Sequence, residues 1–339
     1  MVNLLTRIVL WLMPGYLKRN YVSEDMLRSF FAHVLSPKNV LFNWLVVRSS
    51  DVLHERAVRR YNDIMGMPRN GKYDAELDFL QNHPLHAGMF PYERLYASNM
   101  FETGIEKGLP YVCHKDKKLF FPRKWAVVFA ESEYRTLIEE EGLLGTGHLR
   151  KSPHSYVTDT FKVEAGDVVL DVGSAEGLFA LDNIELAAKV YVFESLKCWF
   201  RPLMATFGPF KDKVRIINKY VGSELSRTST TLSDVLKCED ENAKYFIKMD
   251  IEGAERDVLL ASEDFLRNHQ VKLACAAYHR QDDADYLKEK LESMGFMVRF
   301  SDGYMIPQIN DFIYPYFRRG MIYAQNFKDQ STVNHHSHY

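Results

Sequence analysis

The chain has 339 residues, of which 46% are hydrophobic and 26% are charged. These values are ordinary for a globular protein with a buried core, and the length is enough for two domains. The formal net charge of -2 excludes a global electrostatic attraction to nucleic acid or to anionic lipid. We therefore expect no nucleic-acid partner.

The beginning of the chain is an apolar run of about ten residues, which is shorter than the roughly 20 residues that a membrane-spanning helix needs. No small-residue cleavage site follows it, so the sequence predicts neither a transmembrane segment nor a signal peptide. Residues 4–13 carry apolar side chains at helical spacing. This segment either lies on a membrane surface or packs against its own domain or a second subunit, and packing within protein is the expectation we favour.

Residues 1–148 are predicted to form a mainly helical region that contributes to the substrate site or to a homodimer interface. One helix is expected after Ser23, and a second is expected from about Pro37 to Ile64. The run "YVCHKDKKLFF" predicts a short hairpin that turns at Lys115 and Asp116. The run "ESEYRTLIEEEGLLG" then predicts a helix that ends at glycine.

From about residue 160 the pattern changes to strands that alternate with helices. Five apolar strands are predicted, in the runs "DVVLDVG", "KVYVFES", "KVRIINKYVG", "YFIKMDIEG" and "VKLACAAYH". Such a pattern indicates an α/β fold with a parallel sheet that is covered on both faces. The runs "FMVRFSDGYMIP" and "RRGMIYAQN" follow without a helix between them, so a terminal antiparallel hairpin is expected. The tail, residues 329–339, is predicted to be disordered.

The four cysteines, Cys113, Cys198, Cys238 and Cys275, are widely spaced along the chain. A disulfide framework or a zinc ribbon needs closer grouping. Because unpaired thiols persist in reducing compartments, the sequence predicts a cytoplasmic protein.

A glycine turn follows the first predicted strand, in "VVLDVGSAEGLFAL". Gly173 and Gly177 allow a ligand to approach the backbone closely, but the third glycine of a dinucleotide-binding turn is absent. Asp171 and Glu176 add negative charge, which suits an ammonium or sulfonium group better than a pyrophosphate. Glu176 either faces such a group or caps the helix that follows.

Glu194 ends the second strand, at the distance from the turn where an acidic residue accepts hydrogen bonds from ribose hydroxyls. The turn and Glu194 together predict an adenosine-type ligand without a diphosphate.

A third cluster of ionisable residues ends the fourth strand, in "IKMDIEGAE". Lys248, Asp250 and Glu252 alternate there, and His279 ends the next strand at the same edge of the sheet. Groups crowded in this way shift one another's pKa, so we take these four residues as the candidate catalytic set. The alternative is a salt-bridge network that only supports the sheet.

The runs "VVLDVGSAEGLFAL", "VYVFES", "TTLSDVL" and "FIKMDIEGAERDVLLAS" resemble the FkbM-type methyltransferases of the class I S-adenosylmethionine-dependent superfamily. The resemblance covers residues 150–325 and implies a Rossmann-like, seven-stranded sheet whose last strand is antiparallel, within a domain at 149–328. It implies S-adenosylmethionine as cofactor, with the methionine end at the glycine turn, the ribose at Glu194 and the transferred methyl beside Asp250. The cofactor-binding residues expected from the sequence are Asp171, Gly173, Ser174, Ala175, Glu176, Gly177, Glu194, Ser195 and Asp250.

The chain departs from the family pattern at two positions. The centre of the glycine turn is Ser174-Ala175-Glu176, where the family commonly has Ala-Asn and an apolar residue. The fifth strand ends in Tyr278-His279, where many members have Glu-x-His. Both the cofactor contacts and the acid–base arrangement are therefore expected to differ in detail.

The expected reaction is O-methylation of a hydroxyl on a small molecule or glycan, since FkbM-type enzymes are associated with natural products and sugars. His279 is the first choice for the base, with Glu252 or Asp250 orienting it. A divalent cation held by Asp250, Glu252 and His279 is an alternative that we do not favour. A loop at 151–157, which includes His154 and Tyr156, is placed to act either as a lid or as an ordinary connection.

Two other classes of protein share this pattern. A nicotinamide-dependent oxidoreductase has the same alternating sheet, but the missing glycine and the extra acids count against it. A catalytically inactive binding protein that keeps the fold is the second alternative.

Overall fold

The structure is a computed structural model that describes residues 58–82, 101–141, 152–306 and 313–327. Four predicted features lie outside these residues: the segment at 4–13, the helix expected after Ser23, the boundary at 148/149 and the tail at 329–339. Within the described ranges, no helix combines the length and the apolar character that crossing a membrane requires.

The part before residue 142 contains both helix and sheet. Residues 58–65 are helical, and the elements that follow are α1 (Asp74–Asn82), β1 (Thr103–Glu106), β2 (Leu109–His114), β3 (Lys117–Phe120) and α2 (Val127–Glu140). The predicted hairpin is confirmed, because β2 and β3 pair antiparallel on either side of Lys115 and Asp116. Strand β1, which the sequence analysis did not predict, adds a third antiparallel strand. Its residues "TGIE" have no apolar alternation that would have revealed it.

The second part contains the elements of a doubly wound fold. They are β4 (Val168–Val172), α3 (Leu178–Asp182), β5 (Lys189–Phe193), α4 (Lys197–Thr206), β6 (Val214–Ile217), β7 (Tyr220–Val221), β8 (Ser229–Thr230), α5 (Leu232–Leu236), β9 (Lys244–Met249), α6 (Glu255–Ala261), α7 (Glu263–Asn268), β10 (Gln270–Ala276), α8 (Asp283–Ser293), β11 (Met297–Phe300) and β12 (Met321–Gln325). All five strands predicted for the parallel sheet are present, and β7 and β8 form a separate two-stranded pair.

The large sheet has seven strands in the order β11-β12-β10-β9-β4-β5-β6. Strands β6, β5, β4, β9 and β10 are parallel, whereas β12 is antiparallel to both of its neighbours. The predicted α/β class, the seven-stranded sheet and the terminal antiparallel hairpin are confirmed. An antiparallel pair needs no crossover helix, and the described residues between β11 and β12, 301–306 and 313–320, contain none.

Hydrophobic side chains fill both faces of this sheet. Val169 and Phe246 belong to the core on one face, and Leu170 and Ile247 belong to the core on the other. Since neighbouring residues of a strand point to opposite faces, near-continuous apolar strands are required to bury both.

The three-stranded sheet and α2 pack against the large domain through a buried polar network. Nδ1 of His114 lies 2.9 Å from the hydroxyl of Tyr134, and its Nε2 lies 2.7 Å from Oδ1 of Asp182. Lys115 pairs with the same carboxylate. Burial alone would raise the pKa of Asp182, but the hydrogen bonds from His114 and Lys115 lower it. Because Asp182 ends α3, the network joins the N-terminal part to the helix that follows the glycine turn.

We expect Gly173→Ala to destabilise the protein more than Gly166→Ala. Both glycines have positive φ, +80° and +94°, so alanine is strained at either position. A Cβ at residue 173 would also lie 2.1 Å from the carbonyl oxygen of Asp250, whereas a Cβ at residue 166 meets nothing within 4 Å. The expected loss of unfolding free energy is about 2–5 kcal/mol for Gly173→Ala and about 1–2 kcal/mol for Gly166→Ala. Urea denaturation measures both, and equal losses would contradict the close packing of the turn.

Candidate active site

The candidate site lies at the carboxyl ends of the central strands. Strand β4 pairs with β5 on one side and with β9 on the other, and the direction of strand order reverses at this point. The glycine turn follows β4, Glu194 follows β5 and Asp250 follows β9. Ligands of open α/β sheets bind at such a switch point.

The glycine turn is held rigidly by backbone hydrogen bonds. The N–H groups of Gly173 and Ser174 both donate to the carbonyl of Phe193, at 3.0 and 3.1 Å. Ala175 and Gly177 both have positive φ, +46° and +84°, and Gly177 is the N-cap of α3. The turn therefore has a fixed shape with its backbone close to the end of β5.

Glu194 connects the turn to the strand that follows. Its Oε2 accepts the N–H of Ala175 at 2.9 Å, and its Oε1 accepts the N–H of Leu196 at 2.6 Å. Burial raises the pKa of Glu194, and the two N–H groups oppose that effect. Each carboxylate oxygen keeps a second lone pair that ribose hydroxyls can use. Ser195 lies beside it and is half-buried.

Asp171 and Lys248 lie beneath the turn in the core. Asp171 is fully buried, and its Oδ1 lies 3.1 Å from Nζ of Lys248. The same ammonium donates to the carbonyl of Gly173 at 2.6 Å. Burial would lower the pKa of Lys248, but Asp171 and Asp250 raise it. These two predicted site residues therefore support the turn from below.

Ser174 and Glu176, at the unusual centre of the turn, are both more than nine-tenths buried. The Ser174 hydroxyl has no hydrogen-bond partner among the described residues. Glu176 forms no side-chain capping bond with α3. Burial raises the pKa of Glu176 to about 7.

Asp250 is surrounded by donors from two segments, the loop before β4 and the residues that follow β10. Its Oδ2 accepts the hydroxyl of Tyr156 at 2.9 Å and lies 3.2 Å from Nε2 of His154. The hydroxyl of Tyr278 donates to both carboxylate oxygens at 3.2 Å. Nε2 of His279 lies 3.5 Å from Oδ1. Burial alone would raise the pKa of Asp250, but His154 and His279 hold it well below the usual range, so the group is a carboxylate.

His154 and Tyr156 belong to the loop at 151–157, for which the sequence predicts either a lid or an ordinary connection. This loop is fixed across the edge of the sheet, because the Ser155 hydroxyl donates to the carbonyl of Glu141 at 2.9 Å. The Ser301 hydroxyl donates to the carbonyl of Pro153 at 2.7 Å. The loop therefore closes one side of the site and contributes two side chains to it.

His279 is oriented by Glu255 rather than by the residues chosen from the sequence. Its Nδ1 lies 2.9 Å from Oε1 of Glu255, which is 1% exposed and also accepts the N–H of Ile251. Glu252 lies 4.0 Å from Nε2 of His279, and its side chain is 69% exposed. Burial alone would lower the pKa of His279, but Glu255 and Asp250 raise it to about 9. The imidazole is therefore protonated at neutral pH.

Asp250, Glu255 and His279 each offer one ligand atom, and these atoms lie within 4.8 Å of one another. Carboxylate and imidazole groups suit several divalent metals. In this set Glu255 takes the place that the sequence analysis gave to Glu252. A metal ion would have to displace the proton that His279 holds, because only the neutral imidazole is a ligand.

The fold and part of the sequence are similar to those of known proteins. A seven-stranded sheet of this order, with a glycine turn at its switch point, is a Rossmann-like α/β architecture. Residues 209–298 match the family model described as the methyltransferase FkbM domain. Over these residues the match confirms the resemblance inferred from the sequence. The match includes Lys248, Asp250, Glu255 and His279 and begins after the glycine turn.

Solved structures with similar folds include several methyltransferases. The methyltransferase FkbM of Methylobacillus flagellatus KT is 19% identical, with a TM-score of 0.40 over 49% of this chain and 45% of that one, so the chain spans less than half of that relative. A precorrin-6y C5,15-methyltransferase of Geobacter metallireducens GS-15 is 13% identical, with a TM-score of 0.33 over 49% of this chain and 84% of that one. SMU.1697c of Streptococcus mutans, solved in complex with SAH, is 15% identical, with a TM-score of 0.33 over 48% of this chain and 90% of that one. A comparison with curated proteins finds no match.

We expect the variant Glu255→Gln to lower the pKa of His279. In the wild-type chain the His279 signal should titrate near pH 9, because two carboxylates favour the charged imidazole. Removing an adjacent opposite charge shifts a pKa by about 1–3 pH units. NMR titration of histidine-labelled protein measures this, with the remaining histidine signals as internal references. An unchanged His279 titration would show that Glu255 does not hold its proton.

Proposed function

We propose that the protein is an S-adenosylmethionine-dependent methyltransferase that methylates a hydroxyl on a sugar or another small molecule. The observation that carries this proposal is the position of the Asp250 carboxylate. It lies at the switch point between the glycine turn and His279, with two tyrosines and two histidines directed at it. The family match supports methyl transfer, and the arrangement around Asp250 supports proton transfer from a hydroxyl.

The charges at this end of the sheet favour the proposed cofactor over a dinucleotide. Asp171, Glu176 and Glu194 are all buried around the turn. Clustered carboxylates repel a pyrophosphate, but they attract the ammonium and sulfonium groups of S-adenosylmethionine. The methionine end of the cofactor would lie on the turn, and its ribose would lie on Glu194.

The residues around Asp250 would position the acceptor and remove its proton. Holding the acceptor oxygen close to the methyl group can supply roughly 7–11 kcal/mol of the barrier reduction. A positioned base contributes about 100- to 10,000-fold, and His279 is our choice for it. Because His279 is mostly protonated at neutral pH, its basic form becomes more abundant as the pH rises toward 9. Turnover should therefore increase over that range.

We also propose an acceptor, a role for the N-terminal region and a cellular location. The acceptor would be a small molecule or glycan, and the region before residue 149 would contribute to its site or to a homodimer interface. A cytoplasmic location would suit the four cysteines, which are free thiols in the structure.

Calorimetry with S-adenosylhomocysteine and with NAD tests the cofactor. We expect the wild-type chain to bind S-adenosylhomocysteine and not NAD. Glu194→Gln should weaken that binding by about tenfold or more, since an amide has a single acceptor oxygen where the carboxylate has two. Glu289→Gln, at an exposed position on α8, is the matched control and should bind normally. Binding of NAD without S-adenosylhomocysteine would instead favour an oxidoreductase.

Formation of S-adenosylhomocysteine in the presence of free sugars, sugar phosphates and polyols tests the reaction. With an accepted substrate, Asp250→Asn and His279→Gln should each lower kcat by about 100-fold or more, because each removes a group that handles the proton. The rise of turnover toward pH 9 should disappear in His279→Gln. Unchanged turnover in both variants would remove these residues from the chemistry. Cofactor binding without turnover on any acceptor would favour an inactive binding protein.

A further inference from the structure

Two buried carboxylates lie near the glycine turn, and the proposed function above uses only one of them, Glu176, as a source of negative charge. Glu176 belongs to the turn itself, and Glu141 is the C-cap of α2, in the part of the chain before the methyltransferase domain. Their residues are only 8% and 6% exposed. Among the described residues, no other side chain donates a hydrogen bond to either carboxylate or lies within ion-pair distance of it. Carboxylates buried in this way are costly unless something compensates their charge.

The two groups share one electrostatic environment. Burial raises the pKa of Glu141 well above its usual value, and the nearby charge of Glu176 raises it further. Three further acids act on one or both of these groups, namely Asp171, Glu133 and Glu140, and the cation Lys248 acts on both. That lysine is already committed to Asp171 and to the carbonyl of Gly173. Acidic groups therefore outnumber basic groups among the residues that act on this pair.

The adjacent hydroxyl points to a ligand as the missing partner. Ser174 is 4% exposed, and its Oγ has no hydrogen-bond partner among the described residues. A capping role for Glu176 is excluded by the observed N-cap of α3, which is Gly177 without a side-chain bond. The turn thus presents a hydroxyl without a hydrogen-bond partner among the described residues and a carboxylate that is bonded by its own backbone N–H, and Glu141 adds a second carboxylate from α2.

We propose that Glu141 and Glu176 form an anionic wall of the cofactor site that binds the cationic methyl donor more tightly than the neutral product. This inference rests on the proposed function. S-adenosylmethionine carries a sulfonium, an ammonium and a carboxylate, so its net charge is +1. When the methyl moves to the acceptor oxygen, the sulfur keeps the electron pair of the broken bond and the hydroxyl proton passes to the base. The product S-adenosylhomocysteine is then neutral and is released more readily.

A proton linkage follows from the same geometry. A bound cation favours the ionised form of the two carboxylates, so they give up the proton that they retain when the site is empty of cation. Since the pKa of Glu176 is about 7, the affinity for a cationic ligand should rise as the pH increases from 6 to 8. The affinity for a neutral ligand should change less over that range.

Calorimetry with two non-reactive ligands on the full chain tests the proposal. Sinefungin carries an amine in place of the sulfonium and is cationic, whereas S-adenosylhomocysteine is neutral. At pH 8 the preference for sinefungin should fall about tenfold in Glu176→Gln and in Glu141→Gln, the effect of one charge at roughly 10 Å in a protein medium. Glu289→Gln should keep the wild-type preference. Equal weakening of both ligands would assign the two residues a purely structural role and overturn the proposal.

Proton release by the wild-type chain provides a measurement that needs no variant. Calorimetric titrations with sinefungin at pH 7 are carried out in phosphate and in Tris, two buffers that differ in ionisation enthalpy. The difference between the two measured heats should correspond to release of up to one proton per ligand bound. No proton release would overturn the proposal even if the variants failed to fold. Failure of the proposed function gives a different pattern, in which the wild-type chain binds neither ligand at any pH.

Discussion

The ion pair between Asp171 and Lys248 is the interaction on which the site depends. Strands β4 and β9 are neighbours, and their register places these two residues directly opposite each other. Asp171 is fully buried, so its charge is tolerated only because the ammonium is adjacent. The same ammonium holds the carbonyl of Gly173. The shape of the glycine turn is therefore fixed from inside the core, before any ligand is considered.

Around that pair, similar acidic side chains are brought to different charge states by their surroundings. Asp250 remains ionised because tyrosine and histidine donors face it. Glu176 has no such donors, and burial brings its pKa to about 7. Pairs of groups whose pKa values are driven apart are the usual sign of divided tasks in an active site. Here Asp250 is suited to holding a proton donor in place, and Glu176 is suited to responding to the charge of a ligand.

Much of this was accessible from the sequence, because the carboxyl ends of parallel strands must converge. Asp171, Glu194, Asp250 and His279 each end a recognisable strand, so their proximity follows from the alternation of strand and helix. The orientation of His279 by Glu255 was not predicted. Both Glu252 and Glu255 follow β9. Glu252 has a left-handed backbone, with φ of +58°, and an exposed side chain, whereas Glu255 is buried against His279. Local spacing carries no information about which of the two contacts His279.

The parts that close the site come from outside the stretch that matches the family. His154 and Tyr156 reach Asp250 from the loop before β4, and Glu141 approaches the turn from α2. The matched residues, 209–298, supply Asp250 and His279. The groups suited to proton transfer and the groups that surround the ligands thus belong to separate segments of the chain. A hydrogen-bonded network around His114 joins α2 and the three-stranded sheet to α3, the helix that follows the glycine turn. We therefore expect the choice of acceptor to depend on this N-terminal part, and the proposed methyl transfer to take place at the carboxyl ends of the strands.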